Sequence, residues 1–90
     1  MKTLFEMGQV VATPAALTFC EGNRINPLAL IGRHCNGDFG ELCVDDIAAN
    51  IHAIDVGTRI LSSYKLGNSK VWIITEADRS STCVLMPDEY

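Results

Sequence analysis

The stretch "WIITEADRSSTCVLMP", residues 72–87, decides the fold. Two apolar, β-prone runs flank a polar centre of Glu76, Asp78, Arg79, Ser80, Ser81 and Thr82. Asp and Ser favour turns because their side chains bond the backbone two residues on. The centre therefore reads as a hairpin turn and the flanks as paired strands. Along the first flank Val71, Ile73 and Thr75 point one way, and Trp72, Ile74 and Glu76 the other. Upstream, "TRILSSYKL" (58–66) has the same period of two and turns at Gly67-Asn68-Ser69 into "KVWIITEA" (70–77). The spacing predicts a C-terminal antiparallel β-meander of three strands.

Before Gly57 the period is helical. In "CVDDIAANIHAIDVG" (43–57) Val44, Ile47, Ile51 and Ile54 form an apolar stripe that also takes in Ala48. Asp45 and Asp46 suit the positive end of that helix, and Gly57 suits its close. Asn50 and His52 fall off the stripe and read as solvated. Two shorter helices start alike, at Thr13-Pro14 and Asn26-Pro27. Each pairs a capping side chain with a proline whose missing N–H has no helical partner to lose. The first stops at Gly22 and the second near Asn36-Gly37, with Leu28, Leu30, Ile31 and His34 or Cys35 facing inward. "GDFGEL" (37–42) is a loop with the Phe39 ring pinned to the core. "MGQVVA" (7–12) is a short strand, a candidate fourth member of the sheet. A small sheet must bury one face, and the helices are its available cover. The expected architecture is α+β: two or three short helices on one face of a three- to four-stranded antiparallel sheet. Ninety residues make one such domain, spanning 1–90.

Net charge is −4, and the cations Lys2, Arg24, Arg33, Arg59, Lys65, Lys70 and Arg79 are scattered. Gripping a phosphate backbone takes clustered cations, so direct nucleic-acid binding is not expected. No apolar run approaches the ~20 residues of a membrane helix, and the first residues hold no signal-peptide core. The expected compartment is the cytoplasm, with no membrane partner. Cys20, Cys35, Cys43 and Cys83 contain no C-x-x-C and no metal-ligand spacing with His34 or His52. They read as small buried hydrophobes, with no metal and no cofactor.

Three polar clusters are candidate sites, of which Asn50 and His52 on the long helix read as a solvated face. Glu76, Asp78, Arg79 and Ser80 offer carboxylates, a cation and a hydroxyl. Arg33, His34 and Asp38, beside Phe39, offer a His–Asp pair able to orient a general base. Turn chemistry explains Asp78, Ser80 and Asp38, the helix dipole explains Arg33, and Arg79 has Glu76 or Asp78 to pair with across the hairpin. No phosphate loop, dinucleotide fingerprint, metalloprotease pair or nucleophile elbow is present. No catalytic residue is assigned, and an enzyme is not expected. Loops on a rigid scaffold carry binding residues, so these eight side chains are expected to touch a protein partner.

The segments "LFEMGQVVATPAAL" (4–17), "RHCNGDFGEL" (33–42), "RILSSY" (59–64) and "VWIITEADRSSTCVLMPDEY" (71–90) resemble a family of small bacterial proteins of plasmids and other mobile elements. Its members carry the label "plasmid-related protein" or, misleadingly, type I restriction subunit; 90 residues cannot hold a methyltransferase with its cofactor fold. Phe39 stands where that family's pattern usually has Trp. The mobile-element setting implies a protein-binding module, an anti-defence inhibitor of the anti-CRISPR or anti-restriction kind that sterically occludes a host complex. Two other readings stay open. One is a small enzyme or ligand-binding domain using His34, Asp38, Glu76 and Arg79; the other is a homodimeric accessory protein.

Overall fold

A computed structural model describes residues 3–90 of the chain, so Lys2 lies outside the described residues. The elements run β1 (Gln9–Ala12), α1 (Pro14–Gly22), α2 (Pro27–Cys35), α3 (Val44–Val56), β2 (Ile60–Leu66), β3 (Ser69–Thr75) and β4 (Ser81–Leu85), then a short 3-10 turn (Pro87–Glu89). Both proline-led helices start as the sequence requires. Thr13 Oγ1 accepts the N–H of Ala16, and Asn26 Oδ1 accepts that of Leu28.

The protein is α+β, with three α-helices and one four-stranded sheet in the order β1-β4-β3-β2. β2, β3 and β4 pair antiparallel in chain order, as the period of two implies. β1 departs from the antiparallel expectation: it pairs parallel to β4, Gln9 with Ser81 through Ala12 with Val84, so the sheet is mixed. The ladder continues into Thr13, whose N–H bonds Val84 O, and this delivers the N-terminus of α1 to the C-terminal end of β4. There the Thr13 hydroxyl donates to Glu89 Oε1 at 2.7 Å, which also accepts the N–H of Met86.

One face of the sheet carries Val71, Ile73, Tyr64 and Val84 against Ala16 and Cys20 of α1 and Leu30 and Ile31 of α2. A second cluster joins Phe5, Cys35, Phe39 and Ile60 to Ala53 of α3. On the opposite face the C-terminal turn packs against β3, where the Trp72 and Tyr90 rings meet edge-on with centroids 6.0 Å apart.

Helix α3 does not bury the stripe its isoleucines suggested. Asn50 and Ala53 face inward, with Ile47 and Ile54 half-buried, while Val44 and Ile51 face solvent. The reason is the bare edge of β2. Asn50 Nδ2 donates to Leu61 O, and Asn50 Oδ1 accepts the N–H of Leu61, so one amide side chain imitates a neighbouring strand. Two residues on, Ser63 bonds Phe39 O through its N–H and Glu41 N–H through its carbonyl. That approach requires Gly40, at φ 75° with room for no Cβ: one placed there would stand 2.1 Å from Ser63 O. Leu28, expected inward, is also exposed.

Candidate functional site

The sequence-predicted polar residues divide into those turned inward and those on the surface. His34 is fully buried, its two ring nitrogens 2.5 Å from Ser62 Oγ and 2.9 Å from Thr75 Oγ1. Thr75 Oγ1 lies 2.7 Å from Thr82 Oγ1, and Thr82 donates to Met7 O. A hydroxyl has one proton. Thr82 spends its proton on Met7, so it accepts from Thr75. Thr75 in turn accepts from His34 Nε2–H, and the bare Nδ1 accepts from Ser62. Burial holds the imidazole neutral, with its pKa pushed down to about 4. His34 and Phe39, both expected at a partner surface, are buried within the fold.

Arg33 and Asp38 are half-exposed and paired, Nε to Oδ2, at 2.7 Å. The guanidinium lies 4.6 Å from the centroid of the Tyr64 ring, and the Tyr64 hydroxyl donates to Asp38 O. The Arg33 hydrogen bond holds the Asp38 carboxyl below its usual range, helped by the N–H of Gly40. The pair closes its own loop.

At the hairpin, Arg79 sits in the left-handed region at φ 61°. It pairs with neither Glu76 nor Asp78 through their carboxylates. Nη1 donates to Thr58 O, Glu76 O and Ala77 O, and Nη2 donates to Ala53 O at 2.9 Å. Helix α3 has no basic residue in its last turn, and Arg79 supplies that charge from across the fold. Asp78 caps the turn by accepting Ser80 N–H, which holds its carboxyl below the usual range together with the Ser80 hydroxyl. Glu76 lies 3.9 Å from Arg59, a loose surface pair. The two clusters meet only inside, where Phe5 touches the His34 ring edge-on at 5.2 Å and lies under Arg79 at 5.8 Å.

A concave, apolar site lies elsewhere. A groove of about 310 Å³ runs beside β1, lined by Val10, Val11, Leu17, Leu28 and Ile31 with Ala12, Asn26, Pro27 and Val84. No lining side chain is charged, and none is among the eight candidate contact residues. Leu28 is 68 % exposed, Leu17 47 %, and Val10 and Val11 40 % each. β1 is an edge strand. Gln9 and Thr13 aim their N–H groups at β4, so by alternation Val10 and Ala12 aim theirs, and their carbonyls, away from the sheet. Gly8 brings the chain into this strand at φ 62°, against the backbone of Arg79 and Ser80. Beyond the strand itself the groove has no local signal, because exposure of Leu17 and Leu28 follows from helix placement. Fold and groove together define a small α+β domain with one open sheet edge. Compared with protein-family models, curated proteins and solved structures, the chain finds no match in any of the three. Among the described residues no helix is long and apolar enough to cross a membrane, and no group of three His, Cys, Asp or Glu is placed to hold a metal ion.

Proposed function

We propose that the chain is a protein-binding module that takes an extended, apolar segment of a partner onto the outer edge of β1. The observation that carries this is the open edge: outward N–H and C=O groups at Val10 and Ala12 beside an uncharged groove. Strand addition draws affinity from backbone hydrogen bonds and specificity from side chains at alternate positions. The contrast with the other edge supports it. β2 is covered by Asn50 and by Phe39–Glu41 and then presents the exposed Lys65, all devices that block edge pairing. β1 has none of them. Four residues of edge offer few bonds, so Leu17, Leu28 and Ile31 supply the remaining contact by receiving a partner's apolar side chains.

In the mobile-element setting that the sequence resemblance implies, such a module acts as an anti-defence inhibitor, occluding a host complex without catalysis. Arg33, Asp38, Glu76, Asp78 and Ser80 lie outside the groove, and this reading does not use them. The test is a phage or plasmid challenge of cells with an active defence system, with and without this chain. Val10→Pro removes one outward N–H while the ladder to β4 stays intact. Wild type is expected to change the outcome of the challenge, and Val10→Pro to lose that effect while melting close to wild type. An equally active Val10→Pro sinks the edge reading. An inert wild type that captures no defence complex sinks the inhibitor reading.

A further inference from the structure

The seven cations are scattered along the sequence, yet three of them share one face of the sheet. Val71, Ile73 and Tyr64 fill the face under the helices, so Lys70, Trp72 and Lys65 point from the other one. The register sets Lys65 directly opposite Lys70, where paired side chains start about 5 Å apart. Both are exposed, and neither makes an ion pair or side-chain hydrogen bond with a described residue. Like charges so placed destabilise a sheet. Guarding the β2 edge accounts for Lys65 alone, because Lys70 stands on the interior strand β3.

Beside the lysines lies an aromatic surface. Trp72 follows Lys70 on the same face, about 7 Å along β3, and is half-buried. Its ring meets that of Tyr90, 63 % exposed, with 6.0 Å between centroids. The Arg59 guanidinium lies 5.4 Å from the Tyr90 ring, its charge partly offset by Glu76 at 3.9 Å. The order along the face is a lysine pair, two aromatic rings and an arginine.

We propose that this face binds a short stretch of single-stranded nucleic acid, with a phosphate bridging Lys65 and Lys70 and the adjoining bases stacked on Trp72 and Tyr90. A phosphate seated between two ammonium groups replaces their repulsion by attraction. An acidic peptide would answer the lysines but leave both rings idle, whereas every nucleobase has a face to stack. A duplex keeps its bases in its own stack and offers the rings nothing. Two unpaired lysines and a partly offset arginine suit a few nucleotides and no long tract, in keeping with the net charge of −4. The face is set apart from the β1 edge by β4, so this assignment does not rest on strand addition there.

Trp72 is the single tryptophan, so its emission reports stacking directly. Titration with single-stranded oligothymidylate at low salt is expected to quench it, with a log–log salt slope of about −1 to −2. Anisotropy of the labelled oligonucleotide measures the same binding in variants. Tyr90→Ala removes an exposed ring and is expected to weaken binding about fivefold or more. Lys70→Glu is expected to weaken it at least about tenfold and yet to melt higher than wild type, since the cross-strand repulsion becomes attraction. A lysine with a purely structural task would lose stability and binding together. Emission left unquenched, binding undiminished in Lys70→Glu or Tyr90→Ala, a Lys70→Glu that loses stability along with binding, or equal binding of a duplex or a polyglutamate peptide each overturns the proposal.

Discussion

The proton order along Ser62, His34, Thr75 and Thr82 gives His34 a structural task with a pH signature. The neutral ring both donates and accepts, and protonation would set a second N–H against the Ser62 hydroxyl in a site closed to water. The ordinary histidine pKa is 6.5 and the folded one is about 4, so the unfolded chain takes the proton first. Stability is therefore full above pH 6.5 and is lost as pH falls through 4, by about 3 kcal/mol in all. Asp38 and Asp78, held below their usual range, add losses only at still lower pH. Urea melts across pH 4–7 are expected to show this slope, and His34→Leu to be less stable at pH 7 but flat over the same window. A wild type with no slope there would mean that the ring reaches solvent.

The β2 edge of the sheet depends on one side chain of its neighbour α3. Asn50→Ala leaves the Leu61 N–H and C=O without their partner and reopens the β2 edge. The expected loss is about 1–3 kcal/mol, with faster aggregation measured by light scattering, since a bare edge recruits other strands. Unchanged stability would show that water or a shift of β2 replaces the amide. Asn50 also marks where the sequence stops being legible. Helix bounds at Thr13-Pro14, Asn26-Pro27 and Gly57, and the meander from Ile60 to Leu85, follow from caps, breakers and period, which are local. The inward face of α3 does not, because an apolar stripe was outweighed by an edge that needed an amide. The parallel direction of β1 was equally hidden, since a four-residue strand carries no mark of its heading. The tasks of the polar candidates were hidden for a related reason: His34 and Arg79 bond interior and main-chain groups that lie far from them in sequence.

The whole molecule has two packed clusters, one under α1 and α2 and one beside α3, with Met7 packed against both. The four thiols report on each region. Cys43 is exposed and Cys83 partly so, while Cys20 lies in the first cluster and Cys35 in the second, both buried. Burial raises the Cys20 thiol, and burial with the charges of Glu89 and Glu76 raises Cys83, so neither favours the reactive thiolate. Cys43 is expected to label with a thiol reagent at once and Cys83 more slowly. Cys20 and Cys35 are expected to label only through opening of the core. The His34 hydroxyl chain, anchored on β2, β3, β4 and Met7, crosses the fold between the clusters. If it couples them, Cys20 and Cys35 share one opening free energy, equal to that of global unfolding, and mass spectrometry at graded urea will show them modified together. Labelling of Cys35 well before Cys20 would instead show that α3 and its cluster open separately. In Thr75→Val, which cuts the chain between His34 and Thr82, that separation is the expected result.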